Sequence, residues 1–145
     1  PYVLEFNVRM GDPETQPIMM RLKSDLVELC LAAIGGRLDQ VSVEWDQRPA
    51  LGVVMASGGY PEGYEKGHSI TGLDQVDADT AKVFHAGIQL SDEGEVVTSG
   101  GRVLCVSAVA DSVVEAQKKA YTAVDKIRWQ DCFCRTDIGY RAIDR

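Results

Sequence analysis

Apolar and polar positions alternate over several short segments of this chain, which is typical of strands with one buried face. Glycines, prolines and small polar residues separate these segments and indicate turns between them. The pattern predicts strands over residues 1–9, 50–57, 69–71, 82–90, 95–98 and 102–110. The sequence Ser99-Gly100-Gly101 is predicted to connect the last two strands tightly.

Two other segments have the three-to-four-residue apolar spacing of an amphipathic helix. The first covers residues 24–34, and Gly35-Gly36 follow it as a C-terminal stop. The second starts at Ser112, where the sequence Ser-Val-Val-Glu forms a capping box. Its apolar stripe consists of Val113, Ala116, Ala120, Val124 and Ile127. Most of the predicted strands lie between the two helices, so the sequence predicts an α+β fold.

Charge narrows the classes of function. The chain has 145 residues with 15 basic and 22 acidic side chains, which gives a net charge of −7. This acidic balance disfavours nucleic acid as a partner, because binding to phosphates requires clustered basic residues. No segment approaches the ~20 consecutive apolar residues of a membrane-spanning helix, so we expect no membrane partner.

The four cysteines, at positions 30, 105, 132 and 134, all have apolar or aromatic neighbours in the sequence. The spacing of the last two differs from the C-x2-C pair of structural zinc sites, and the chain has only two histidines. We therefore expect buried, reduced thiols rather than a metal cluster. Reduced thiols in turn favour a cytoplasmic location.

The first candidate functional residues lie in the first predicted strand. Glu5, Asn7 and Arg9 alternate with apolar residues and would project from one face, about 6.7 Å apart. Carboxylate and amide oxygens are hard ligands suited to Mg²⁺, and a guanidinium binds phosphate oxygens in a bidentate manner. The pattern is consistent with a phosphoryl-transfer site. On the pattern alone, an ordinary solvent-facing strand is the more common explanation.

Other polar residues and glycines leave two interpretations open. Asp12 and Glu14 follow Arg9 within one turn-rich segment, and they either belong to the same site or cap the next helix. The glycine pairs at 58–59 and 100–101 match no phosphate-binding motif, which favours turns. His85 lies in an apolar segment, which is more typical of a core or edge histidine than of a catalytic one.

The first predicted strand has no earlier element to pair with. We therefore expect this chain to be the C-terminal part of a longer protein. The polar segment at residues 39–49, which ends in Gln47-Arg48-Pro49, is a candidate domain boundary.

The segment from Arg9 to Gln16, preceded by Leu4-Glu5-Phe6-Asn7, strongly resembles the signature of the phosphoribosylamine–glycine ligase family. The resemblance extends over the whole chain. It continues at residues 51–61, 82–87, 100–104 and 131–143. Two positions depart from the family pattern: Met10 replaces the usual Phe or Leu, and Ile88 replaces a hydroxyl residue.

The resemblance implies an ATP-grasp fold. Residues 1–46 would then be the C-terminal end of the ATP-grasp domain. Residues 47–145 would be a small β-rich, barrel-sandwich-like C-terminal domain with one packed helix. Most of the ATP-grasp region, with the lysine and loop that hold ATP, would precede residue 1. This fragment alone is therefore expected to be inactive.

The resemblance also implies the reaction, which joins glycine to 5-phosphoribosylamine with ATP, through glycyl phosphate, in de novo purine synthesis. Glu5 and Asn7 match the metal-binding pair of the family, for Mg²⁺ or Mn²⁺. Arg9 matches the position that stabilises the transferring phosphoryl group or the acyl phosphate. Asp12 and Glu14 belong to the signature loop beside the substrates, with roles that the resemblance leaves unassigned.

A second hypothesis comes from a different class of function. In it the chain is a non-catalytic, β-rich binding or interaction module that retains one strand of a former enzyme. The residues encoded upstream of position 1 discriminate between the two hypotheses. An ATP-grasp lysine and glycine-rich loop there would favour the ligase, and an unrelated upstream region would favour the module.

Overall fold

The computed structural model describes residues 2–6 and 8–143. These residues form the helices α1 (Thr15–Arg21), α2 (Leu26–Ile34), α3 (Val113–Val124) and α4 (Tyr140–Ile143). They also form the strands β1 (Ala50–Ala56), β2 (Lys82–His85), β3 (Ile88–Leu90), β4 (Val96–Thr98) and β5 (Arg102–Val109). Short 3₁₀ turns lie at Leu38–Gln40 and Leu73–Gln75.

The centre of the fold is a three-stranded antiparallel sheet in the order β1–β5–β2. β5 pairs on both sides: Val106, for example, lies opposite Val53 of β1 and Val83 of β2. β3 and β4 form a separate two-stranded sheet. Because β5 is central, most of its side chains are buried, and it holds the two neighbouring strands in register.

Helix α3 packs on one face of the β1–β5 pair. Leu51, Val53 and Met55, at alternate positions of β1, belong to the hydrophobic core on this face. Ala116 and Ala120 of α3 are fully buried in the same core. Their small side chains let the helix approach the sheet closely. Both residues belong to the apolar stripe that the sequence predicts.

Helix α1 packs against the same two strands from the other face. Gly52 alternates with the buried residues of β1 and faces this helix: a Cβ atom added there would lie 3.1 Å from Cγ of Pro17. The missing side chain at Gly52 therefore makes room for α1. Because α1 begins at Thr15, its packing also fixes the preceding turn, residues 11–14, on the sheet.

The C-terminal segment is tied to α3 and to the end of β1. The Tyr121 hydroxyl donates a hydrogen bond to the carbonyl oxygen of Arg135 at 2.6 Å and accepts one from the Ile138 amide at 3.1 Å. Burial raises the pKa of Tyr121, which keeps the hydroxyl protonated as a donor. Phe133 exchanges two backbone hydrogen bonds with Ala56, at 2.8 and 3.0 Å.

Most of the predicted elements are confirmed. The segments 50–57 and 102–110 contain β1 and β5, and Ser112 caps α3 by accepting a hydrogen bond from the Glu115 amide at 3.2 Å. Two details of the prediction are wrong: segment 82–90 is divided into β2 and β3, and segment 69–71 forms only isolated bridges. The tight 99–101 connection is confirmed, since β4 ends at Thr98 and β5 begins at Arg102, and it joins two different sheets.

The predicted first strand is wrong for the residues that are described. Residues 2–6 and 8–10 form no strand, and Leu4 and Val8 are 96% and 95% exposed. A strand depends on hydrogen bonds to a neighbouring strand, and no described segment pairs with these residues. Alternation along the sequence was therefore insufficient to form the strand.

Helix α2 forms where the sequence predicts it, and Asp25 caps it by accepting a hydrogen bond from the Val27 amide at 2.7 Å. Its apolar face, however, is not buried. Of its residues only Ala32 is buried, and Ile34 is 85% exposed. The spacing reveals an amphipathic helix, but the described part of the chain supplies no surface that covers it.

The cysteines follow the prediction in part. All four are free thiols. Cys105 is buried and Cys132 and Cys134 are half-buried, but Cys30 is exposed because it lies on the uncovered α2. Burial raises the pKa of the Cys105 and Cys134 thiols, which lowers their reactive thiolate fraction.

The α+β class is confirmed. Helix α3 is the packed helix that the sequence predicts, and α1 adds a second helix on the sheet. Within residues 2–6 and 8–143, every helix is too short or too polar to cross a bilayer.

A substitution at Gly72 tests how closely the backbone at this residue packs against the segment that follows α3. Gly72 and Gly94 have φ values of +80° and +82°, but a Cβ atom at Gly72 would collide with the carbonyl of Lys126, whereas Gly94 faces open space. We expect Gly94→Ala to lower the free energy of unfolding by about 1 kcal/mol, through backbone strain alone. Gly72→Ala should lower it by roughly 1–3 kcal/mol more, because of the collision. Urea unfolding of both variants measures this, and equal losses would contradict the packing described.

The exposure of the cysteines predicts their order of reaction with Ellman's reagent. Cys30 should react rapidly in the folded protein, Cys132 and Cys134 more slowly, and Cys105 only on unfolding. Cys30→Ser should remove the rapid phase and leave the slower ones. A rapid phase that persists in Cys30→Ser would show that another thiol is accessible.

Candidate functional site

An open cavity of about 760 Å³ lies at the turn that precedes α1. Three of the five residues predicted for the site, Arg9, Asp12 and Glu14, line this cavity together. One guanidinium and two carboxylates therefore face a common volume. This is the part of the sequence-based site that the structure brings together.

The turn itself is held by local hydrogen bonds. The amide and hydroxyl of Thr15 both donate to the Gly11 carbonyl oxygen, at 2.9 and 2.6 Å. Glu14 occupies the N-cap position of α1, yet among the described residues its side chain makes no capping hydrogen bond. Its carboxylate instead lies against Gly11, where an added Cβ atom would collide with Oε2. The capping interpretation of Glu14 is therefore not what the structure shows.

Asp12 makes a contact that the sequence analysis did not predict. Nη2 of Arg102 lies 2.8 Å from Oδ2 of Asp12, and Nη1 of the same guanidinium donates to the Asp12 carbonyl oxygen at 3.4 Å. Arg102 is the first residue of β5 and is separated from Asp12 by 90 positions. This ion pair joins the turn before α1 to the central strand of the sheet.

The backbone of Arg102 is held on both sides. It lies opposite Ala56 of β1, and its carbonyl oxygen accepts a hydrogen bond from the Gly87 amide at 2.9 Å. The preceding residue, Gly101, accepts a hydrogen bond from the Ser57 amide at 2.8 Å. The guanidinium of Arg102 therefore extends from a fixed point of the sheet.

The glycine pair before Arg102 serves close packing. A Cβ atom at Gly101 would collide with the ring of Tyr60 and lie 2.9 Å from Cε1 of Tyr64. The two tyrosine rings lie at a tilt to each other, with centroids 6.2 Å apart. Residues 58–61 form a turn, so the interpretation of the glycine pairs as structural rather than phosphate-binding is consistent with the structure.

A second cavity, of about 450 Å³, lies beside this junction. Its lining is mostly apolar and includes Pro13, Val54, Tyr60, Arg102 and Phe133. Arg102 thus borders the second cavity while it contacts Asp12, which borders the first.

Of the predicted metal-binding pair, the structure describes Glu5 alone. Glu5 is exposed outside any helix or strand, and Asn7 lies outside the described residues. Arg9 is exposed, and its Nη1 donates to the carbonyl oxygen of Met10 at 3.0 Å. In the part of the chain that the structure describes, no group of three or more histidine, cysteine or acidic side chains is arranged to hold a metal ion.

His85 lies at the exposed end of the edge strand β2 and lines neither of the two cavities. This position agrees with its interpretation as an edge histidine.

Comparison with known proteins gives consistent results. A family model described as "Phosphoribosylglycinamide synthetase, C domain" matches residues 50–141. Proteins named phosphoribosylamine–glycine ligase from Allochromatium vinosum and Escherichia coli K12 are 65% and 61% identical over all 145 residues. This chain spans 34% of the length of each of these relatives.

A solved structure of the same name agrees in fold. The crystal structure of phosphoribosylamine–glycine ligase from Thermotoga maritima matches 95% of this chain at a TM-score of 0.73 and 35% identity. The match covers 33% of that chain.

Proposed function

Because the chain belongs to the phosphoribosylglycinamide synthetase family, we propose that it is the C-terminal part of an ATP-dependent ligase. The complete enzyme joins glycine to 5-phosphoribosylamine and forms glycinamide ribonucleotide, ADP and phosphate in de novo purine synthesis. The observation that carries this proposal is the 65% identity to a relative of that name over the whole chain. The cavity that collects Arg9, Asp12 and Glu14 supports the location of the site.

The domain division that we propose follows the sequence analysis. Residues 1–46 are the end of the ATP-grasp domain, and residues 47–145 are the barrel-sandwich-like C-terminal domain. The family match to residues 50–141 supports the second unit. The exposed apolar residues of α2, such as Val27 at 64% and Ile34 at 85%, support the first, because the rest of the same polypeptide would cover them.

Glu5 and Asn7 would hold Mg²⁺ or Mn²⁺ together with the phosphates of ATP. Their carboxylate and amide oxygens suit a hard cation, and one carboxylate leaves most coordination positions to phosphate, water and residues of the remaining polypeptide. The exposure of Glu5 is consistent with such a shared site. When bound, the ion neutralises charge on the phosphates during phosphoryl transfer.

The guanidinium of Arg9 would stabilise the negative charge on the same phosphates. In the first step the glycine carboxylate attacks the γ-phosphoryl group, forming glycyl phosphate and releasing ADP. In the second step the amine of phosphoribosylamine attacks the acyl carbon, and phosphate leaves. A guanidinium placed at the phosphoryl oxygens stabilises both steps. Asp12 and Glu14 line the same cavity as Arg9, which supports their assignment to the same site.

We also propose a cytoplasmic location for this reaction. The four free thiols are typical of proteins from a reducing compartment.

The proposed function is tested with the complete polypeptide. Glycine, 5-phosphoribosylamine, ATP and Mg²⁺ should yield glycinamide ribonucleotide and phosphate in equal amounts. Omission of any one substrate should abolish the product, and the 145-residue chain alone should yield none. A complete polypeptide that forms no product from all four components would contradict the proposal.

The metal assignment predicts a specific effect of Glu5→Gln in the complete enzyme. The substitution removes one negative charge from the proposed ligand set, so turnover at low Mg²⁺ should fall by roughly 10²–10³-fold. Raised Mg²⁺ should partly restore it, because weakened metal binding is overcome by mass action. The melting temperature should be unchanged, since Glu5 is exposed.

Glu93→Gln is the matched control, because Glu93 is an exposed glutamate in the turn between β3 and β4. It should leave turnover and its Mg²⁺ dependence unaltered. Near-normal turnover of Glu5→Gln at low Mg²⁺ would exclude Glu5 as a metal ligand.

A further inference from the structure

We infer that Arg102 is a positioning residue of the proposed ligase, one that holds the carboxylate of Asp12 in place at the cavity before α1. This inference rests on the proposed function and adds to it a residue from the β-rich unit. Arg102 lies outside the signature segment, and the chain separates it from Asp12 by 90 positions.

The geometry of the contact restricts Asp12 at two points. One guanidinium nitrogen binds the side-chain Oδ2 at 2.8 Å, and the other donates to the main-chain oxygen of the same residue at 3.4 Å. A contact to the carboxylate alone would leave the main chain free to move. Contacts to both groups fix the direction in which the Asp12 side chain leaves the turn.

The anchor of this contact is rigid. Arg102 starts the central strand, where Ala56 lies opposite it on one side and Gly87 binds its carbonyl oxygen on the other. Tyr60 lies against Gly101, directly before it. The turn that receives the contact continues into α1, which packs on the same strands. The contact of Arg102 therefore links the start of β5 to the turn before α1, and both of these points are held on the same sheet.

The stability of the fold does not explain the ion pair. The side chains of Arg102 and Asp12 are 40% and 62% exposed, and ion pairs with this exposure contribute little to stability. Its effect is instead on the position of a carboxylate that shares a cavity with Arg9 and Glu14. A small displacement of a reacting group lowers turnover strongly, so a geometric role predicts a kinetic effect without a stability effect.

The test uses the complete polypeptide with the variants Arg102→Ala, Arg102→Lys, Asp12→Asn and the double variant Arg102→Ala/Asp12→Asn. Each is measured for kcat, KM and melting temperature. Arg48→Ala is the matched control, because Arg48 forms a 2.7 Å ion pair with Asp46 at the opposite end of the β1–β5 pair.

We expect Arg102→Ala to lower kcat by about 10²-fold, with little change in melting temperature. Arg102→Lys should retain part of the activity, since a lysine keeps the charge but not the two-point contact. In the Asp12→Asn background, Arg102→Ala should cause little further loss, because Arg102 acts through the Asp12 carboxylate. Arg48→Ala should leave kcat unchanged. Unaltered kcat in Arg102→Ala, or losses that multiply in the double variant, would overturn the inference.

A second measurement separates this inference from the proposed function. In the 145-residue chain, Arg102→Ala should shift the NMR amide signals of Gly11, Asp12 and Glu14, and Arg48→Ala should leave them unchanged. Unshifted signals would overturn the contact whatever the activity of the complete protein. A wild-type complete protein that forms no glycinamide ribonucleotide would contradict the proposed function, and the NMR result alone would then decide whether Arg102 holds the turn.

Discussion

The antiparallel pairing of β1 with β5 is the interaction on which the other elements depend. It runs from Ala50 opposite Val109 to Met55 opposite Leu104, and β5 carries β2 on its other edge. Helices α3 and α1 then pack against this pair from its two faces. Both faces of the pair are therefore covered. The buried residues of β1 lie on the face of α3, and Gly52, which alternates with them, leaves space for α1 on the other face. A shift of one residue in register would exchange these faces and remove both packing surfaces.

One end of this pair also organises the candidate site. At Ala56 the C-terminal segment joins the sheet through Phe133, and opposite Ala56 the side chain of Arg102 reaches Asp12. The site is therefore built where the sheet, the C-terminal segment and the turn before α1 meet. We propose that only part of the ligase site lies here, since Arg9, Asp12 and Glu14 line one cavity and Glu5 is not among its described lining residues. This agrees with a chain that spans about a third of the length of its relatives.

Local signals in the sequence predicted the parts of the fold that depend on neighbouring residues. The Ser112 cap and the apolar spacing of α3 are examples, because a helix forms its hydrogen bonds within one segment. The first strand was predicted wrongly, because alternation does not show whether a neighbouring strand is present, and no described segment pairs with residues 2–6 and 8–10. The short helix α4 had no detectable periodicity over its four residues. The resemblance identified Asp12, but its contact with Arg102 depends on tertiary structure. The signals for Arg102 were a glycine pair directly before it at the start of a predicted strand and its place in the segment 100–104 that resembles the family.

In the proposed ligase, the segment around Glu5 and Asp12 provides groups that act on the substrates, while the β1–β5 pair holds this segment in place. The most direct measurement is a crystal structure of the complete polypeptide with Mn²⁺ and a non-hydrolysable ATP analogue, with anomalous scattering used to locate the manganese. We expect a manganese peak at bonding distance from the Glu5 carboxylate and an intact contact between Arg102 and Asp12. A manganese ion bound only by residues outside this segment, with Arg102 turned away from Asp12, would contradict this expectation.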